Sequence, residues 1–156
     1  MNNKFVYTPG PTRVRENVRL AISKSTTNPD IDIEFCEFYK NTCEKMASIL
    51  NTENDVYILS GEGILGLEAA CASLTEPGDK VLVIDNGIFG RGFDDFVKMY
   101  GGEVVYFSGD YTKEIDIEEL EKFLQKENDF KYATVVHCDT PTGVLNDLSK
   151  ICPLLK

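Results

Sequence analysis

The sequence predicts a three-layer α/β fold, a mostly parallel sheet with helices on both faces. Strand-like runs alternate with helical patterns from Val56 onward, the order from which right-handed crossovers build parallel sheets. Lys80-Val81-Leu82-Val83-Ile84 is a continuous apolar run, as central parallel strands covered on both faces display. Ser60-Gly61-Glu62-Gly63-Ile64-Leu65-Gly66 sets a glycine turn between the run Val56-Tyr57-Ile58-Leu59 and an apolar, helix-forming segment over 65–74.

The elements follow in order. Thr12 can cap a helix over about 13–24, with Val14, Val18, Ala21 and Ile22 on one face. Asn28-Pro29-Asp30 breaks the chain, and a longer helix follows over about 33–50. Its stripe is Phe35, Phe38, Tyr39, Met46, Ile49 and Leu50. Residues 1–54 read as a helical segment and 55–156 as the sheet-bearing part of one incomplete domain. After the strand at 56–59 and the glycine-led helix, Glu76-Pro77-Gly78-Asp79 is a turn and 80–84 a strand. A helix over about 89–100 ends at Gly101-Gly102, and 103–107 is a strand. Asp116 with Glu119 resembles a capping box before Leu120, Phe123 and Leu124. A strand over 132–137 leads to the loop Thr140-Pro141-Thr142-Gly143. Asp147 opens a last helix, which Pro153 kinks or shortens.

Composition narrows the function classes. The chain has 156 residues, is 42% hydrophobic and carries a formal net charge of −10. That length supports a genuine core, and that charge repels polyanions, so nucleic acid is not an expected partner. No apolar run reaches bilayer-spanning length, and Met1-Asn2-Asn3-Lys4 lacks a leader's apolar region; a cytoplasmic protein with no membrane partner is expected. Five cysteines without a C-x-x-C pair read as reduced, mostly packed thiols. A single histidine argues against a multi-histidine metal centre, and no metal is expected.

Three loops fall at the carboxyl ends of the predicted strands, where such sheets gather ligands: 60–64, 85–90 and 139–143. In the first, glycines let backbone approach a phosphate and the helix's first amides point at it unpaired. Local sequence leaves three readings open. Gly61-x-Gly63-x-x-Gly66 with Asp85 fits a dinucleotide-binding oxidoreductase, although two helices precede it and Glu62 sets a carboxylate where pyrophosphate would lie. The others are a different phosphate ligand and a purely structural turn. Phe89, between Gly87 and Gly90, is either a core residue or a ring stacked on a planar cofactor. In His137-Cys138-Asp139, strand alternation sends Cys138 to the face opposite His137, against a thiol nucleophile; Cys138 is expected to be packed. The Thr140 hydroxyl can donate to a phenolate or carboxylate. The acidic clusters Asp94-Asp95 and Glu118-Glu119 with Glu121 read as solvated faces.

Taken in order, Thr8-Pro9-Gly10-Pro11-Thr12, Ser60-Gly61-Glu62-Gly63, Leu67-Glu68-Ala69-Ala70, residues 76–83, Asn86-Gly87-Ile88-Phe89-Gly90 and His137-Cys138-Asp139-Thr140-Pro141-Thr142-Gly143-Val144 resemble the class V aminotransferases. These are pyridoxal-phosphate enzymes of fold type I, and the branch resembled is the alanine–glyoxylate and serine–pyruvate type. The resemblance implies that Gly63 and Ile64 amides hold the cofactor phosphate, with Glu62 beside it where relatives carry a hydroxyl residue. It implies Phe89 stacked on the pyridine ring and Thr140 bonded to the phenolic oxygen. Pro9, Gly10 and Pro11 would border the substrate carboxylate. Residues 55–156 would then be part of a pyridoxal-phosphate-binding large domain. The Schiff-base lysine, the aspartate at the pyridine nitrogen and the substrate-clamping arginine are expected beyond Lys156. The expectation is therefore the N-terminal part of a transaminase acting on a small amino acid and a 2-oxo acid. Alone it is inactive and homodimerises through uncovered apolar surface. Desulfurase or lyase chemistry and a non-catalytic scaffold stay open as alternatives.

Overall fold

The computed structural model describes residues 5–25 and 28–156; the tetrapeptide 1–4, considered above for its missing leader, lies outside the described residues. The chain forms two compact units, one reaching to Ser60 and one running from Gly61 to Lys156.

In the first unit α1 (Glu16–Ile22) is capped at Arg15, without a side-chain cap bond, and not at Thr12. The first intrahelical bonds run from the Val18 and Arg19 amides to the Arg15 carbonyl, each at 3.1 Å. A cap must reach the amides of the first turn, and Thr12 lies too far upstream to do so. α2 (Ile33–Leu50) matches the predicted helix: the Asp32 carboxylate accepts from the Glu34 amide at 2.9 Å, and Asn51 ends the helix in the left-handed region at φ +50°. The strand expected at 56–59 does not form. The Tyr39 hydroxyl takes both backbone groups of Ile58, accepting from its amide at 3.0 Å and donating to its carbonyl at 3.3 Å, so a side chain satisfies the groups a ladder would have used.

The second unit runs α3 (Gly63–Leu74), β1 (Lys80–Asp85), α4 (Ile88–Arg91), α5 (Phe93–Met99), β2 (Glu103–Ser108), α6 (Ile117–Leu124), β3 (Tyr132–Thr134), β4 (Cys138–Asp139), β5 (Val144–Leu145) and α7 (Leu148–Leu154). The main sheet has the order β2-β1-β3 and is wholly parallel, with Val83 between Tyr106 and Thr134. Strand alternation sends Leu82 and Ile84 to one face, where Phe107, Ile115, Leu120 of α6 and Ile151 of α7 cover them. Val81 and Val83 point to the other, against Val97 of α5. Helices therefore lie on both faces, as expected.

Two elements are shorter than predicted. The helix over 89–100 is divided at Gly92, which ends α4 and starts α5; glycine is the weakest ordinary helix former. The strand over 132–137 leaves the sheet after Thr134, because the Asn86 and Asn146 side-chain amides claim the Val136 carbonyl at 2.7 and 3.1 Å. The chain then turns into the β4–β5 hairpin, antiparallel with Cys138 opposite Leu145. The caps of the last two helices are as read: Asp116 accepts from the Glu119 amide at 3.1 Å, and Asp147 accepts from the Ser149 amide at 3.1 Å.

The expectation of packed thiols is corrected. Only Cys71 is buried, whereas Cys36, Cys138 and Cys152 are exposed and Cys43 is intermediate. α2 buries none of its residues, so an apolar pattern there does not imply enclosure. Asp94 departs from the solvated-face reading too. It accepts from Lys98 Nζ at 2.7 Å and from the Tyr106 hydroxyl at 2.5 Å, and its side chain is 13% exposed. Burial pushes its carboxyl up, but the Lys98 and Tyr106 hydrogen bonds outweigh this and leave it below the usual 3.8.

Two outcomes follow. Truncating Leu82, which is 0% exposed, should cost about 2–5 kcal/mol in Leu82→Ala, read as a shift in denaturation midpoint at constant slope. Because Asp94 holds its proton less tightly when folded, its contribution is complete above its ordinary value and is lost as pH falls through its depressed one. Between about pH 5 and 2 the melting temperature of the wild type should fall more steeply than that of Asp94→Asn.

Candidate cofactor cleft

α3 starts at an extended residue, Glu62 (φ −80°, ψ 166°), whose side chain makes no capping bond and is exposed. The Gly63 and Ile64 amides therefore lead the helix, among the donors a helix cannot satisfy internally. A side chain built on Gly63 would meet nothing within 4 Å, so the space beside these amides is open.

Ile64 and Leu67 of α3 line a cleft of about 700 Å³ together with Phe89 of α4, Phe93 and Phe96 of α5, and Val136, Cys138 and Thr140 beyond β3. The three loops singled out in the sequence thus supply one cleft, at the carboxyl end of the parallel strands. Phe89 is 52% exposed and so is not a core phenylalanine. Thr140 is exposed, and its hydroxyl has no hydrogen-bond partner among the described residues. Cys138 opens into the cleft and is not packed, because β4 lies past the end of the main sheet. His137 lines a separate depression with Glu114 and Asp147. Its separation from Cys138 follows the alternation argument. Pro9, Gly10 and Pro11 belong to the other unit, on exposed chain where the Thr8 hydroxyl donates to the Pro11 carbonyl at 2.6 Å.

Asp85 does not stand open at the strand end as an adenosine site would need. It is 4% exposed and accepts from Arg91 Nη1 at 2.9 Å, from the Ser108 hydroxyl at 3.2 Å and from the Tyr111 hydroxyl. The Asp85 hydrogen bond raises the Tyr111 hydroxyl above its usual 10.0, and burial adds to the rise. The Arg91 guanidinium also lies 3.9 Å above the Tyr106 ring centre, a cation–π contact that holds the turn carrying Phe89 against the sheet. The spacing Asp85-x5-Arg91 offered a charge-pair signal, but only the fold shows that it closes. Asn146 was not singled out in sequence and no local pattern marks it, and Asn86 was named only as part of the 86–90 segment, with no role of its own; both are buried at this rim.

A family model of the class-V aminotransferases matches residues 8–156. An uncharacterized aminotransferase of Methanocaldococcus jannaschii is 31% identical over 153 residues, covering 98% of this chain and 40% of its own length. The pyridoxamine–pyruvate transaminase of Mesorhizobium japonicum is 32% identical over 151 residues, covering 97% and 38%. The crystal structure of pyridoxamine-pyruvate aminotransferase from Mesorhizobium loti superimposes with a TM-score of 0.90 at 29% identity, again over 97% of this chain and 38% of that one. The chain thus spans about 40% of the length of the curated relatives it matches. With a matching family model over nearly all its length and the parallel α/β architecture of fold type I, the chain belongs to the class-V aminotransferase family.

Proposed function

We propose that this chain is part of a pyridoxal-phosphate-dependent aminotransferase, with residues 55–156 forming part of its cofactor-binding large domain. The whole protein moves an amino group between a small amino acid and a 2-oxo acid, of the alanine–glyoxylate or serine–pyruvate type. The observation that carries this reading is the cleft itself: Ile64 in the first turn of α3, the half-exposed Phe89 ring, and Thr140, whose hydroxyl has no partner among the described residues, line one volume. That donor set fits the cofactor. Backbone amides at Gly63 and Ile64 suit a phosphate ester, the flat Phe89 ring suits a pyridine, and the Thr140 hydroxyl suits a phenolic oxygen. Glu62, the exposed residue just before the α3 helix, would lie beside that phosphate, with its carboxylate free to turn to water. By the family resemblance, Pro9, Gly10 and Pro11 would border the substrate carboxylate. When bound, the cofactor supplies an electron sink for carbanion chemistry. This chain's residues anchor and orient it, and the apolar walls Ile64, Leu67 and Phe93 exclude water.

Among the described residues no lysine lines the cleft. This supports a division of labour in which the covalent anchor, the aspartate at the pyridine nitrogen and the arginine that clamps substrate come from later sequence. The exposed apolar surface points the same way. Ile64, Leu65, Leu67 and Leu74 of α3 are 37–55% exposed, and an all-round apolar helix is normally enclosed. The remainder of the large domain and the second subunit of a homodimer in the cytoplasm cover it. The dinucleotide alternative has lost its acidic partner, since Asp85 is already engaged by three donors.

Titration of the chain with pyridoxal phosphate, followed by absorbance, tests the reading. Weak saturable binding is expected, reduced about tenfold in Phe89→Leu and in Thr140→Val, as loss of one aromatic or hydrogen-bond contact predicts. Saturable binding of NAD in its place would reverse the assignment. Borohydride reduction of the mixture followed by peptide mapping should leave no stoichiometrically labelled lysine, and the chain alone should show no transamination. A single labelled lysine would place the anchor inside this segment.

A further inference from the structure

Asp139, at the end of β4, is 0% exposed, a rare state for an aspartate without a counter-ion. Among the described residues no lysine, arginine or histidine pairs with it. Its partners are all hydrogen-bond donors from two of the cleft's loops. The Phe89 amide donates to Oδ1 at 3.4 Å, while the Thr142 hydroxyl and amide donate to Oδ2 at 2.9 and 3.3 Å. The Gly143 amide donates to the Asp139 carbonyl at 2.8 Å. The carboxyl group fills the space of a missing side chain. A Cβ on Gly87 would sit 2.4 Å from Asp139 Cγ, and Gly87 holds φ +150°, which L side chains rarely adopt.

We propose that Asp139 is a positioning residue: its buried carboxylate clasps the Gly87–Phe89 turn to the Thr140–Gly143 turn and so sets the spacing of the Phe89 ring and the Thr140 hydroxyl across the cleft. The proposal rests on the cofactor reading of that cleft. Its chemical logic is that each carboxylate oxygen faces a donor. An asparagine of the same shape would point its own N–H₂ at one of them, leaving two donors opposed in a buried site. Without the clasp the two turns keep their own short bonds but are no longer tied to each other, and a ligand held between ring and hydroxyl loses its fixed geometry.

Residue-resolved amide hydrogen exchange on the full chain tests the clasp with no ligand present. In Asp139→Asn the Phe89 and Thr142 amides should exchange about tenfold faster, while the Leu82 amide in β1 keeps its protection. Thr142→Val removes one exposed hydroxyl, leaves the carboxylate in place and should move Phe89 in the same direction; Thr142→Ser should restore it. Unchanged Phe89 protection in folded Asp139→Asn overturns the proposal, as does unchanged protection in Thr142→Val if the first variant does not fold. Titration of the same proteins with pyridoxal phosphate reads the positioning itself. Affinity reduced about fivefold or more, with Leu82 still protected, supports it, and equal affinity overturns it. A wild-type chain that takes up no pyridoxal phosphate overturns the cofactor reading alone, and the exchange measurements still decide the clasp.

Discussion

A strand buried on both faces and paired on both edges governs this molecule. From Val81 to Asp85 every residue of β1 is buried, so its alternating side chains must be apolar in both directions. The strand has no tolerance for a polar group until the point where it leaves the sheet. Burial on that scale is the main favourable term available to the unit. It also bears on where chemistry can occur: the buried carboxylates and carboxamides, Asp85, Asn86, Asp139 and Asn146, crowd at the carboxyl end, while among the described residues the buried groups elsewhere are the hydroxyls of Thr75 and Thr134.

That crowding explains the rim. Asp85 and Asp139 at strand ends and Asn86 and Asn146 just beyond strands are all buried, and each is held by named partners. A desolvated polar group is costly unless bonded, so the loops have few alternative conformations that leave these groups satisfied. Two buried oxygens break the rule: among the described residues Asn86 Oδ1 and Thr134 Oγ1 have no partner. Asn86 Oδ1 sits where a Cβ on Gly90 would come within 2.2 Å, so position 90 is restricted to glycine. Rigid loops at one end of a sheet are what a ligand that must be oriented requires. The charge network Asp85–Arg91–Tyr106–Asp94–Lys98 extends this stiffness to α5.

The opposite condition holds away from β1. α2 buries none of its residues and α3 only Cys71, although both carry large apolar side chains. In β2-β1-β3 the outer strands each present one unpaired edge among the described residues. One saturated strand with open flanks leaves apolar surface and strand edges exposed, and the relatives matched are more than twice as long as this chain.

Much was legible in the chain itself, and the legible parts share a cause. β1, α2, the α3 start and the caps at Asp116 and Asp147 are set by side chains acting within a few residues: an unbroken apolar run, a carboxylate reaching the next turn's amide, a glycine opening a helix. The order of strands and helices likewise led to the parallel sheet and to three loops at one rim, because topology places successive strand ends together. What failed was decided by distant partners. Val56 to Leu59 have strand composition, but Tyr39 took the Ile58 backbone groups. The strand after Tyr132 ended where two asparagines, one sixty residues from the other, captured a single carbonyl. The dinucleotide alternative needed Asp85 as an open acid, but Arg91, Ser108 and Tyr111 close around it, and Cys138 was read as packed until the hairpin carried it clear of the sheet. Local covalent order determined which elements form and which loops meet. Only tertiary structure decided which polar groups there are already spent on the protein and which, like the Thr140 hydroxyl and the α3 amides, face outward, since satisfaction of a buried group depends on neighbours that sequence distance does not reveal.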